Sequence, residues 1–137
     1  METLATLARH LGAAAPAAGE ATGLVRCTIE TALGTIEVEL NAAAAPRTVA
    51  NFLAYIDAGA YSGGAFTRAV RLDNQAHDGH RSPAESVLIE VVQFGKSPDA
   101  PTLAPIEMES TAVTGLTHTD GVLSMARGAS DSATSSV

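Results

Sequence analysis

The sequence contains no tryptophan, and its large aromatic residues are three phenylalanines and two tyrosines. Hydrophobic residues nevertheless make up 46% of the 137 residues, and charged residues only 17%. Such a composition excludes a disordered chain and allows one domain with a buried core. Because aromatics are scarce, we expect this core to rest on valine, isoleucine and leucine.

Cysteine is almost absent as well. Cys27 is the single cysteine, which excludes a disulfide bond within the chain. It alternates with Val25 and Ile29, as a residue facing the core from a strand does. We therefore interpret Cys27 as a buried strand residue and not as a reactive or metal-binding thiol.

Positive charge is also scarce, since 8 lysines and arginines face 15 acidic residues and give a net charge of -7. The basic residues are scattered, whereas binding to nucleic acid requires them to cluster. No apolar run approaches the roughly 20 residues that span a bilayer. We expect a monomer with neither a nucleic-acid nor a membrane partner.

Residues 1–23 precede the first clear pattern and allow two interpretations. Residues 13–18 are small, as around a secretory cleavage site, but Arg9 and His10 interrupt the apolar stretch that should come before it. Alternatively, this is a loose arm carrying a short amphipathic helix, with apolar positions at Leu4, Leu7, Ala8 and Leu11. A working signal segment would imply a periplasmic location, and its absence a cytoplasmic one.

From residue 24 the periodicity predicts a hairpin followed by a helix. Two runs alternate with period two, and Gly34 between them suits a tight reversal. Their apolar positions are Val25, Cys27 and Ile29, then Ile36, Val38 and Leu40. Val49, Phe52, Leu53 and Ile56 then follow helical spacing. Pro46 suits the start of this helix and Gly59 its C-terminal cap.

The remaining elements predict a mostly β fold. Further strands are expected over residues 66–70, 87–94 and 122–127, with loops over 72–86 and 96–105. These strands and the covering α-helix suggest an antiparallel β-barrel. The strands are too few to close it, because a small closed barrel needs about eight. We therefore expect the barrel to be incomplete at its C-terminal end.

Common catalytic motifs are missing. The sequence has no dinucleotide-binding or phosphate-binding glycine loop and no serine-hydrolase elbow. His77 and His80 lie beside Asp78, but a zinc site needs three or four firm ligands and this segment is a predicted loop. We expect no metal and no cofactor.

Two polar residues stand inside apolar strands. Arg68 lies within residues 66–70, and Gln93 near the end of residues 87–94. On the residues alone, Arg68 is most simply a solvent-facing arginine of an edge strand, and Gln93 an amide that caps a strand.

Several ordered blocks of sequence resemble the cyclophilin family, including its bacterial members. Residues 31–40 and 45–52 are similar to the family's opening hairpin and helix. Residues 61–68 read Tyr-Ser-Gly-Gly-Ala-Phe-Thr-Arg. They are similar to the stretch that carries the family's catalytic arginine. Residues 121–127 resemble its Gly-x-Leu-Ser-Met-Ala-Arg segment, and residues 131–135 the polar segment after it. We therefore divide the chain into an N-terminal segment, 1–23, and a partial cyclophilin-like domain, 24–137.

The resemblance implies a peptidyl-prolyl cis-trans isomerase that assists protein folding, with proline-containing unfolded or nascent polypeptides as partners. It makes Arg68 the catalytic arginine and Gln93 the residue that holds the substrate backbone. It places Val91 in the proline pocket, and Ala126 and Arg127 in the neighbouring groove. Such a reaction needs no nucleophile, metal or cofactor.

The sequence also departs from the family pattern. Glu90 replaces a pocket phenylalanine, and Phe94 replaces the first glycine of a Gln-Gly-Gly run, which we expect to distort the strand end. The strands that follow residue 137 in relatives have no counterpart. We expect the chain alone to be weakly stable and to isomerise poorly. The alternative function is a module that binds proline-containing peptides with little catalysis.

Overall fold

The computed structural model describes the backbone of residues 4–8 and the whole of residues 23–74 and 88–137. Within these ranges lie five strands, one long helix and one single-turn helix. In chain order they are β1 (Leu4–Ala8), β2 (Leu24–Thr31), β3 (Gly34–Asn41), α1 (Pro46–Asp57), β4 (Ala65–Val70), β5 (Val91–Gly95) and α2 (Thr111–Thr114). No helix in the described ranges is long and apolar enough to cross a membrane.

The strands form two antiparallel sheets, one ordered β1-β2-β3 and the other β4-β5. This confirms the mostly β fold class with one long covering helix. Over the described residues the two sheets do not join into a closed barrel.

The predicted hairpin is confirmed. The β2–β3 register runs without a shift from Leu24 opposite Asn41 to Thr31 opposite Gly34. The Thr31 hydroxyl donates to the Gly34 carbonyl at 2.8 Å and accepts from the Leu33 amide at 3.1 Å. Gly34 has a φ of 140°, a conformation that a residue with a Cβ rarely adopts.

The predicted N-terminal helix is wrong for Leu4–Ala8, which form β1 at the free edge of β2. An isolated helix this short is marginal in water, whereas an open strand edge offers a row of unpaired hydrogen-bonding groups. The helical spacing of a few apolar residues is therefore outweighed by backbone pairing. Leu11 lies outside the described residues, and the boundary at residue 23 stays a prediction.

Helix α1 has the predicted bounds, and its apolar face is confirmed in part. Val49, Phe52 and Ile56 are buried as predicted, whereas Leu53 is half-buried and Tyr55 is buried without having been predicted. Pro46 occupies the first turn, and Gly59, with a φ of 65°, follows the C-terminal cap at Ala58.

The N-terminus of α1 is capped by a residue far away in the sequence. Ala45 offers no capping side chain, and the Glu109 carboxylate takes its place. It accepts hydrogen bonds from the Arg47 amide at 3.0 Å and from the Thr48 amide and hydroxyl, each at 2.8 Å. Partial burial alone would raise the pKa of Glu109, but these bonds and the Arg47 charge outweigh it, so its pKa is lowered.

Buried valine, isoleucine and leucine side chains contribute to the core as expected, but aromatic rings form its centre. All five phenylalanine and tyrosine rings of the chain form one connected cluster. Ring centroids lie 5.3 Å apart for Phe52 and Tyr61, and 5.7 Å apart for Tyr61 and Phe94. The aliphatic residues and Cys27, which is 2% exposed, pack around these rings. The rings are few, but the fold brings every one of them to the same place.

Two predicted strands need correction. Residues 122–127 form no strand, although Leu123 and Met125 are half-buried against the core. The apolar spacing of this segment therefore does not produce a hydrogen-bonded ladder. Strand β5 begins at Val91, since residues 88–90 have no regular structure. Most of the predicted loop 72–86, with His77, Asp78 and His80, lies outside the described residues.

Candidate active site

The register of β4 and β5 pairs the two polar residues that the sequence singled out. Arg68 lies opposite Gln93, and Val70 lies opposite Val91. Phe66 lies opposite Phe94, so one extra residue, Thr67, is inserted between the two pairings. This irregularity is a β-bulge, which commonly redirects a side chain.

The bulge determines which side of the sheet Arg68 occupies. Without it, Phe66 and Arg68 would share a face, because side chains alternate along a strand. Instead the Phe66 ring packs on Phe94, 5.6 Å between centroids, within the aromatic cluster. Arg68 is exposed and shares the opposite face with the half-buried Gln93.

The same face carries the predicted pocket residue. Val91 is two positions from Gln93 and is 38% exposed. Next to it, Glu90 is exposed and precedes the strand. Phe94 does not distort the strand end as expected: it is 3% exposed, and β5 continues through Gly95. Its ring fills space in the core that a glycine would leave empty.

Residues 133–137, here called the clamp segment, run beside β5. The Phe94 amide donates to the Val137 carbonyl at 2.7 Å, and the Val137 amide donates back at 3.0 Å. On the far side of the clamp segment, the Ala126 amide donates to the Ser136 carbonyl at 2.9 Å. Arg68, Gln93 and Ala126 therefore lie on three of four chain segments arranged side by side.

Arg127 is exposed and lines a cavity of about 470 Å³ with residues that include Met108 and Asp131. A larger cavity of about 1310 Å³ lies between the β2–β3 hairpin and residues 115–124. Neither cavity includes Arg68 or Gln93. Arg68 and Gln93 therefore lie outside both cavities, whereas Arg127 lines the smaller one.

The guanidinium of Arg68 makes no hydrogen bond or ion pair with any residue that the structure describes. Its donors are therefore available to a molecule placed against the β4–β5 face. In the described part of the chain, no cluster of three histidine, cysteine or acidic side chains is arranged to hold a metal ion.

The family model described as cyclophilin type peptidyl-prolyl cis-trans isomerase/CLD matches residues 26–136. The chain belongs to the cyclophilin family. Among curated cyclophilins, it is similar to the peptidyl-prolyl cis-trans isomerase cyp18 of Streptomyces antibioticus, with 39% identity over 99 residues. That match covers 72% of this chain and 51% of the relative, so the chain spans about half the length of the relative. No solved structure matches.

The sequence analysis singled out Arg68 and Gln93, which the structure pairs across β4 and β5, but it did not predict the bulge that aligns them. The bulge at Thr67 has no glycine or proline to mark it. The clamp segment looks like a small, polar tail in sequence, and its partners are far away along the chain. A buried asparagine on the apolar face of α1, Asn51, was the available signal, because buried amides need partners.

Proposed function

We propose that this cyclophilin domain catalyses cis-trans isomerisation of X-Pro peptide bonds. The observation that supports the proposal is the cross-strand pairing of Arg68 with Gln93 on an exposed sheet face. The two side chains are the ones expected from the family resemblance, and the Thr67 bulge is the local reason that they share a face.

The chemistry follows from the electronic structure of the peptide bond. Resonance holds the X-Pro amide planar behind a barrier of about 18–20 kcal/mol. As the bond rotates, the prolyl nitrogen regains its lone pair and becomes a hydrogen-bond acceptor. In our proposal, an Arg68 N–H donates to that nitrogen only in the twisted state. Such a bond stabilises the transition state more than the ground state, which accelerates the rotation.

The other residues would hold the substrate. Gln93 offers an amide that both donates and accepts, and so suits a peptide backbone beside the proline. Val91 offers an apolar contact for the proline ring. Ala126 and Arg127 would contact the neighbouring part of an extended chain. An open surface of this kind fits proline-containing unfolded or nascent polypeptides as substrates.

The decisive experiment is a protease-coupled assay with a proline-containing peptide, comparing the chain with its Arg68→Ala variant. Since we expect the chain alone to isomerise poorly, the predicted result is a weak acceleration of isomerisation that the Arg68→Ala variant loses. Arg26→Ala is the matched control, because Arg26 is also an exposed strand arginine but lies on the hairpin, opposite Glu39. Equal rates for the chain and Arg68→Ala would contradict the proposal.

A second candidate is a peptide-binding module with little catalysis. It is favoured by the absence of Arg68 and Gln93 from both cavities and by the 38% exposure of Val91. NMR titration with the same peptide separates the two functions. Shifts at Gln93 and Ala126 without any rate enhancement would support the module.

A further inference from the structure

The clamp segment has an unusual set of hydrogen bonds. Each of its five consecutive carbonyl oxygens accepts a bond, and each bond comes from a different part of the chain. Three carbonyls accept from backbone amides: Ala133 from Ile106 at 3.0 Å, Ser136 from Ala126 at 2.9 Å and Val137 from Phe94 at 2.7 Å. The other two accept from side chains: Thr134 from the Asn51 amide group at 2.6 Å and Ser135 from the Tyr61 hydroxyl at 2.8 Å.

Two of these bonds reach the chain segments that carry the candidate site. Phe94 follows Gln93 directly in β5, and Ala126 is itself a candidate groove residue. The clamp segment lies between them and bonds to both. Its position therefore sets the distance between the Gln93 side and the Ala126 side of the groove.

Two other bonds hold the clamp segment from the core side. Asn51 is 7% exposed on α1, and Tyr61 is fully buried in the turn that follows the helix. Burial, and to a lesser extent the neighbouring Tyr55, raise the pKa of Tyr61, so its phenol remains a protonated donor. Buried carbonyls left without these donors would keep their full desolvation cost.

We propose that Asn51 and Tyr61 are positioning residues for the isomerase site, acting through the clamp segment. The inference rests on the proposed function, since it assigns their effect to the groove that receives the peptide. Neither residue needs to touch the substrate. Losing either donor would let residues 134–136 shift, and Ala126, which bonds to Ser136, would move relative to β5.

The chain offers a matched pair of variants to test this. Tyr61→Phe removes one hydroxyl and keeps the ring in its cluster. Tyr55→Phe removes the hydroxyl of the other buried tyrosine in the same cluster, which is 1% exposed and accepts from the Leu103 amide at 2.7 Å. That bond leads to the loop after β5 and not to the clamp segment. Each variant therefore loses one hydrogen bond of a buried tyrosine, but only the Tyr61 bond holds the clamp segment.

We expect Tyr61→Phe to lower kcat/KM about tenfold, as a small misplacement of a substrate-binding wall does. Tyr55→Phe should stay within about twofold of the parent, at a temperature where all three proteins are folded. Amide hydrogen exchange should accelerate at Ala126 in Tyr61→Phe and remain unchanged in Tyr55→Phe. Asn51→Asp, which replaces the donating amide by an acceptor, should resemble Tyr61→Phe, and Asn51→Gln should recover part of the loss.

Equal losses in Tyr61→Phe and Tyr55→Phe would overturn the proposal, because they would indicate a general effect on stability. Unchanged exchange at Ala126 in Tyr61→Phe would overturn it as well. If the parent chain does not accelerate isomerisation at all, the proposed function fails separately. In that case the positioning role is tested by NMR, through the amide exchange at Ala126 and the affinity for the proline peptide. Tyr61→Phe is again compared with Tyr55→Phe.

Discussion

The β2–β3 hairpin and the β4–β5 site region are both antiparallel, but they are held in different ways. The hairpin has an unbroken register and closes through a turn with its own side-chain hydrogen bonds. The site region has a bulge at Thr67, and its neighbours along residues 122–137 are attached by a few long-range bonds. A continuous ladder tolerates the loss of one contact better than a set of separate attachments does. We therefore expect sensitivity to mutation to concentrate in the site region and in the core that joins it to α1.

Removing a ring that both regions share should have the largest effect. Phe52 is 2% exposed on α1 and packs against Tyr61 and Phe94. We expect Phe52→Ala to lower the free energy of unfolding by about 3–5 kcal/mol in urea denaturation, because it leaves a cavity in the core. Leu33→Ala, in the hairpin turn at 79% exposure, is the control and should change it by less than about 0.5 kcal/mol. Similar losses in both variants would contradict an aromatic centre of the core.

Arg68→Ala should separate activity from stability in the site region. We expect kcat/KM to fall roughly a hundredfold, the usual order for removing a donor that serves the transition state. The free energy of unfolding should change by less than about 0.5 kcal/mol, since the side chain is exposed. Paired measurements of isomerisation and urea unfolding test both expectations. A marked loss of stability would show that Arg68 has a structural role.

The closest backbone approach in the site region gives a third comparison. A Cβ at Gly64 would overlap the Gly95 carbonyl oxygen and lie 2.9 Å from that of Tyr61. We expect Gly64→Ala to lower the free energy of unfolding by about 1–3 kcal/mol, because backbone must move to admit the methyl group. Gly128→Ala is the control, as an added Cβ there meets nothing within 4 Å. Thermal unfolding of the two variants should separate them clearly.

The smallest effect should come from the remote cap on α1. Glu109→Gln should cost about 0.5 kcal/mol at neutral pH, the usual scale for a negative charge at a helix N-terminus. Because the pKa of Glu109 is lowered on folding, this stabilisation is present above its ordinary value of 4.5 and is lost as pH falls through the lower, folded pKa. The parent and the variant should therefore converge in stability below pH 4.5. A stability difference between parent and variant that grows as the pH falls would contradict a lowered pKa of Glu109 in the folded chain.

The sequence predicted the elements that depend on local patterns, as the β2–β3 hairpin does. Alternation of Val25, Cys27 and Ile29 sets one face of a strand, and the spacing of Val49, Phe52 and Ile56 sets one face of a helix. These patterns are local, and the structure confirms the elements they predict. Even β4 starts only one residue earlier than expected.

What failed depends on partners that are distant in sequence. Leu4–Ala8 form a strand because the β2 edge is available, which no local pattern records. Leu123 and Met125 pack against the core, yet residues 122–127 form no strand, and Ala126 bonds to the clamp segment through its amide. For the candidate site, the family resemblance indicated Arg68 and Gln93, and the structure adds that they are cross-strand neighbours. Their roles, and those of Val91, Ala126 and Arg127, stay predictions.

The gathering of every phenylalanine and tyrosine ring has a practical consequence for spectroscopy. With no tryptophan present, intrinsic fluorescence comes from Tyr55 and Tyr61, which are both buried. Near-ultraviolet absorbance and fluorescence of the aromatic rings therefore report on one small volume and not on the surface loops. A proline peptide that carries tryptophan would be the single indole emitter in the sample, so its arrival on the β4–β5 face can be followed without labelling the protein.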